Sequence, residues 1–126
     1  MRARALGAGF LLSVTAILAG CATGSAPPAR LMSIEPIVGK WQGTIAVGLG
    51  PPQFYYLTIN PDASIVATWG ANWQWGKITV NGTEAARFEL NNITSGTLLY
   101  YSGPTGRAIQ MTPDFGGWYV WITPVK

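Results

Sequence analysis

Tyr55-Tyr56-Leu57-Thr58-Ile59-Asn60-Pro61-Asp62-Ala63-Ser64-Ile65-Val66-Ala67-Thr68-Trp69 is the stretch whose reading decides the fold class. On either side of Asn60-Pro61-Asp62-Ala63 the apolar residues recur at every second position: Tyr55, Leu57 and Ile59 before it, Ile65, Ala67 and Trp69 after it. Period two is the spacing of a strand with one buried face. The four residues between are turn formers, because Pro presets φ for the second position of a type I turn and Asn at the first hydrogen-bonds forward. Asn60-x-Asp62-x-Ser64 shares its spacing with the start of a calcium loop, but the Gly and the distal Glu that close such a loop are missing, so it reads as a turn. The unit is strand, tight turn, antiparallel strand.

Working outward, the same unit repeats. From Ile37 onward no apolar set at i, i+3, i+4, i+7 runs free of Gly or Pro, and eight β-branched and aromatic segments read as strands: residues 38–48, 54–59, 64–69, 73–80, 84–90, 96–101, 107–112 and 118–123. Asn81-Gly82 is a type I′ hairpin signal, and Gly70-Ala71-Asn72, Gly103-Pro104-Thr105-Gly106 and Pro113-Asp114-Phe115-Gly116-Gly117 mark further turns. A segment about every ten residues is the rhythm of an antiparallel meander, and no connection is long enough for a helical crossover. Eight such strands hide their edges by closing on themselves, so the expected fold is all-β: an antiparallel eight-stranded barrel, closed or partly open.

Alternation assigns the faces. Trp41, Ile45 and Val47 join the odd, inward set of the first three strands, while Ala86, Phe88 and Leu90 face in from the fifth with Arg87 and Glu89 outside. In the fourth strand the apolar set shifts from Trp73 and Trp75 to Ile78 and Val80, which predicts a bulge near Gly76.

Composition removes whole classes of chemistry. The 126 residues, enough for one domain, include 6 Trp and 5 Tyr but no His and 1 Cys. That excludes Ser-His-Asp and Cys-His pairs, a His/Cys zinc site and an imidazole pH switch. The formal charge of +3 counts Arg2 and Arg4 of an amino-terminal targeting segment; without them the excess is one, and the remaining cations are spread singly. Nucleic acid needs clustered positive charge, so no nucleic-acid partner is expected.

The targeting segment has Arg2 and Arg4, an apolar run over residues 5–18 too short to span a bilayer as a helix, and then Leu18-Ala19-Gly20-Cys21. This tetrapeptide resembles the bacterial lipobox. The resemblance implies signal cleavage between Gly20 and Cys21, attachment of lipid, palmitate among the chains, to the Cys21 thiol, and anchoring in a membrane. Ala22, where Asp would signal retention, implies the outer membrane, facing the periplasm. The expected organisation is a signal peptide over 1–20, a lipidated tether over 21–35, small, polar and Pro-containing, and the barrel over 36–126.

Gly39-Lys40-Trp41 is similar to the G-x-W opening of lipocalin and avidin-like barrels, which implies a Trp plugging one end. Small lipoprotein inhibitors of lysozyme are also compact eight-stranded barrels; their usual disulfide has no counterpart in a chain with one Cys.

Two constellations are candidate sites. Trp69, Asn72, Trp73, Gln74 and Trp75 form either an aromatic ligand platform at the barrel mouth or cross-strand packing that pins the hairpin, and in the packing case Trp73→Ala abolishes folding. The strand over 118–123 is apolar on both faces. With Trp118, Val120 and Ile122 inside, Tyr119 and Trp121 lie outside beside Gln42, Thr44, Ala46 and Gly48, with Phe54 and Tyr56 beyond, making an aromatic-walled groove unless the tether covers it. The four carboxylates of the folded part, Asp62, Glu84, Glu89 and Asp114, are scattered over turns and opposite faces of one strand, so no catalytic residue, metal or cofactor is expected. The functional expectation is a non-catalytic envelope module binding a small apolar or sugar ligand. The alternative is a protein-interaction or inhibitor domain acting on an envelope enzyme such as a lysozyme. A cavity of roughly 300 Å³ inside the barrel belongs to the first; a filled barrel with exposed outer aromatics belongs to the second.

Overall fold

The computed structural model describes residues 27–126. The expected signal peptide, its expected cleavage between Gly20 and Cys21, the expected lipid site and the first part of the expected tether lie outside the described residues. Eight strands follow one another, β1 (Gly39–Val47), β2 (Gln53–Ile59), β3 (Ser64–Trp69), β4 (Asn72–Thr79), β5 (Ala86–Leu90), β6 (Thr94–Gly103), β7 (Gly106–Pro113) and β8 (Trp118–Pro124). Each pairs antiparallel with the next, and β1 pairs with β8 from Trp41↔Pro124 to Val47↔Trp118, so the barrel is closed. This is the meander expected from the ten-residue rhythm, and closure removes the exposed edges that an open sheet would carry.

The interior is packed with aliphatic and aromatic side chains, among them Ile45, Leu57, Ile65, Phe88, Leu98, Ile109, Met111 and Ile122, and no charged or polar residue is buried among the described residues. Phe88 and Trp118 meet inside at 5.8 Å between ring centroids. At one end a 3-10 turn, Glu35–Ile37, crosses beneath the barrel and buries Ile37. Trp41 stands on it: its Nε1–H donates to the Ile37 carbonyl at 2.9 Å and its ring meets Tyr100 edge-on. The Arg107 guanidinium lies 5.3 Å over the same indole and donates to the Pro36 carbonyl, which fastens β7 to this turn.

Three expectations are corrected. No bulge interrupts β4: Gly76 pairs with Ile65 and Gln74 with Ala67, so Asn72, Gln74, Gly76 and Ile78 face in while Trp73, Trp75, Lys77 and Thr79 face out. The change of apolar parity comes from two tryptophans on the outer face, and not from a slip of the backbone. Gly76 has its own reason, since a Cβ there would overlap the Glu89 carbonyl of β5. Val47, expected inside, is exposed at the end of β1 beyond the core. Finally, the domain begins before residue 36. Ala29 donates its N–H to the Tyr100 carbonyl, Leu31 is bonded to Gly82 and Thr83 through its backbone, and the Leu31 side chain is in the core. This segment extends the β6 edge that β5 leaves free and does not cover β8.

Candidate functional site on the outer wall

Alternation sends seven aromatic side chains outward, and the register arranges them. Phe54 and Tyr56 project from β2, Trp73 and Trp75 from β4, Tyr101 from β6, and Tyr119 and Trp121 from β8. The strands between them carry smaller side chains on the same face: Gln42, Thr44 and Ala46 on β1, Val66 and Thr68 on β3, Gln110 on β7. Aromatic ridges thus alternate with polar or small furrows at every second strand, a spacing of about 10 Å from twice the interstrand distance. Thr44 pairs with both Phe54 and Trp121, and Thr68 with both Tyr56 and Trp73, so each furrow has an aromatic on either side.

Beside β8 the register sets the outward Tyr119 and Trp121 against Ala46 and Thr44 of β1. Tyr119 pairs with Ala46, and both Tyr119 and Trp121 are about two-fifths exposed (41% and 40%). Trp121 is steadied by Tyr101, ring centroids 5.6 Å apart, and the Tyr101 hydroxyl donates to Gln110 Oε1 at 3.2 Å. Partial burial, and then the neighbouring Tyr119, push the Tyr101 phenol up, so it stays neutral.

The tryptophan hairpin divides. Trp69 is half-buried at the barrel mouth and Gln74 faces inward, whereas Trp73 (60% exposed) and Trp75 (51%) lie outside with ring centroids 5.7 Å apart. They neither line a cavity at the mouth nor pack in the core. Asn72, at the turn, is exposed. The Trp75 N–H donates to the Asn91 side-chain carbonyl at 3.0 Å, and the Asn91 N–H donates to the Trp75 carbonyl, so the backbone beneath the indole pair is held on both of its polar groups.

A recess of about 400 Å³ opens on the furrow of β3, lined by Gln53, Phe54, Tyr56, Thr68, Trp69 and Gly70. It joins one residue of the tryptophan hairpin to two of the groove. Sequence reasoning missed Gln53, Thr68 and Gly70; Thr68 was accessible through the strand register, while Gln53 sits at a strand start that composition does not mark. Inside the barrel, by contrast, the space among Ile45, Tyr55, Trp69, Gln74, Leu90, Thr94 and Trp118 is about 30 Å³. Tyr55 is buried there with no protein partner for its hydroxyl, and burial pushes its phenol up.

Four of the five carboxylates are engaged in structure. The Ser64 hydroxyl and N–H both donate to Asp62 and hold its pKa below the usual range. Arg87 does the same for Asp114 through a two-pronged ion pair, and its Nη1 also donates to Thr97 Oγ1. Glu84 faces Arg30 and Glu89 faces Lys77. A general acid needs the opposite shift, upward toward neutrality. Comparison of this chain with family models, with curated proteins and with solved structures finds no match.

Proposed function

We propose that this chain is a membrane-anchored envelope lipoprotein, held by lipid on Cys21, whose barrel is a non-catalytic binding module that works from its outer wall. The observation that carries the reading is the contrast between about 30 Å³ inside the barrel and about 400 Å³ on the wall, where ordinary small-molecule clefts fall at about 300–1,000 Å³. An interior ligand of the lipocalin type does not fit that space. Five residues lie between Cys21 and Pro27, six Cα steps with a reach of at most about 20 Å. The end of the barrel where the chain arrives therefore stays close to the lipid, and the far end and the wall are presented to the aqueous side.

A second reading, an interaction or inhibitor domain, draws on the same filled barrel and exposed outer aromatics, and the far-end loops favour it further. Leu49, Ile93 and Phe115 are fully or almost fully exposed at three loop tips there. Co-sedimentation tests the first reading. The domain from Pro27 should pellet with isolated envelope fragments, and Phe54→Ser combined with Trp73→Ser should abolish this without lowering the unfolding midpoint by more than a few degrees. Pelleting that survives the wall substitutions but is lost in Leu49→Ser with Phe115→Ser moves the site to the far end.

A further inference from the structure

We infer that the occupant of the outer wall is an uncharged polysaccharide, a flat β-linked chain whose sugar rings stack on the aromatic ridges. The inference rests on the outer-wall reading above and adds the chemistry of the ligand. Charge is the first ground. Residues 41–61, 63–76 and 115–125 contain no Asp, Glu, Lys or Arg, and they supply the recess and the walls and floors of both furrows from β1 at Gln42 through β3 and along β8. The charged side chains border it: Lys77 follows Trp75 on the outer face of β4 and is paired with Glu89, Arg87 is paired with Asp114, and Arg30, Glu35, Lys40, Asp62, Glu84, Arg107 and Lys126 surround the end where the chain arrives. A wall without charge has nothing to offer an anionic lipid headgroup, a nucleic acid or a charged peptide, and desolvating any of these against it goes uncompensated.

The second ground is the pairing of chemistries. A sugar ring has an apolar face of C–H bonds, whose positive hydrogens suit the negative face of an aromatic ring, and a rim of neutral hydroxyls. Phe54, Tyr56 and Trp73 supply exposed faces, while Gln53 and Thr68 between them supply a neutral amide and a hydroxyl. The third ground is spacing: rings recur at every second strand, about 10 Å apart, close to the two-unit repeat at which a flat β-1,4-linked chain shows the same face again. An extended peptide is the natural competitor for such a furrow, but its main-chain mode of binding needs a free sheet edge. The barrel is closed, and Ala29 occupies the stretch of β6 that β5 leaves open.

The test is a titration of the domain from Pro27 with two neutral probes, the β-1,4-linked tetrasaccharides of glucose and of N-acetylglucosamine, followed by tryptophan fluorescence. A saturable change with a dissociation constant between about 10 μM and 1 mM is expected for at least one of them. Trp73→Ala and Tyr56→Ala should each weaken it about tenfold, the loss of one stacked ring. On the unsubstituted protein, the same sugar should protect Trp73 and Trp75 from oxidation by N-bromosuccinimide, which keeps the test independent of whether a variant folds. A tetrasaccharide of galacturonate, matched in length but anionic, should do neither. Absence of saturation by either neutral probe up to 10 mM, or equal binding of the anionic one, overturns the inference. If neither neutral probe binds while the wall substitutions still abolish envelope pelleting, the sugar assignment falls and outer-wall binding stands.

Discussion

Trp41 and Trp73 are both tryptophans on strands, and the structure assigns their removal very different costs. Trp41 is 1% exposed and spans the base of the core. Truncation to Ala removes the transfer energy and leaves a cavity, about 3–5 kcal/mol for a core Trp. It also takes from the buried Ile37 carbonyl the Nε1–H donor at 2.9 Å, a further loss of about 1–3 kcal/mol. A domain of this size holds roughly 5–15 kcal/mol in total, so Trp41→Ala should leave it largely unfolded or close to it. Trp73 keeps 60% of its surface in water, so roughly two-fifths of an area of about 150–250 Å² is at stake. At about 25 cal/mol per Å² that is an upper bound of about 1.5–2.5 kcal/mol, and since Ala retains part of the contact and the unfolded chain is partly compact, about 1 kcal/mol is expected. Urea unfolding followed by far-UV circular dichroism measures both without depending on the indoles. A loss at Trp73→Ala as large as at Trp41→Ala would refute the outward placement of Trp73, and with it the ridge on β4.

Tyr55→Phe removes a hydroxyl that is buried without a protein partner, so the urea midpoint should stay or rise, by up to about 1 kcal/mol; a loss larger than that would show the hydroxyl to be engaged. Leu31→Ala should cost about 2–5 kcal/mol, and a chain begun at Ile34 should be less stable than one begun at Pro27; equal midpoints for the two chains would return residues 27–33 to the tether. Gly76→Ala should cost about 3 kcal/mol or more through the Glu89 carbonyl, and a mild effect would mean that β4 and β5 separate easily there. Asp62 and Asp114 have folded pKa values below their unfolded ones. Their contribution is therefore complete above the unfolded value near 4 and is lost as pH falls through the folded values. Stability should be flat from pH 7 to 5 as far as these groups decide it and decline below pH 4, and Asp114→Asn should flatten the acid limb.

What the sequence disclosed about the fold follows from what each signal physically encodes. Asn60-Pro61-Asp62-Ala63 and Gly70-Ala71 announce turns through backbone geometry that few other residues adopt, and β3 has the bounds that alternation predicts, Ser64–Trp69. Closure was expected because eight short strands have two edges to hide. The amino-terminal boundary was misplaced because Ala29-Arg30-Leu31 has a tether's composition. Its place in the fold depends on a gap on β6 beyond Ala86↔Leu98, and that gap exists only once β5 and β6 are paired.

The candidate site was half legible for a related reason. Period-two reasoning separates apolar from polar faces, and it succeeds on β5, where Arg87 and Glu89 alternate with Ala86, Phe88 and Leu90. On β8, apolar on both faces, it offers the parity with Trp118, Val120 and Ile122 inside and Tyr119 and Trp121 outside, which is the one the strand adopts. On β4 the larger side chains dominated the pattern. Trp73 and Trp75 suggest an inward parity that the strand does not have, because the inward residues are Asn72, Gln74, Gly76 and Ile78, a set with one aliphatic member. The barrel tolerates those weak inward positions because Trp69, Trp118 and Phe88 cross from other strands to pack its interior. An inward face poor in apolar residues opposite an outward face of two indoles wastes core-forming side chains if packing is their purpose. That inversion leaves the β4 tryptophans outside the barrel, with Trp73 in register with Thr68 and, across it, Tyr56, two residues that line the recess.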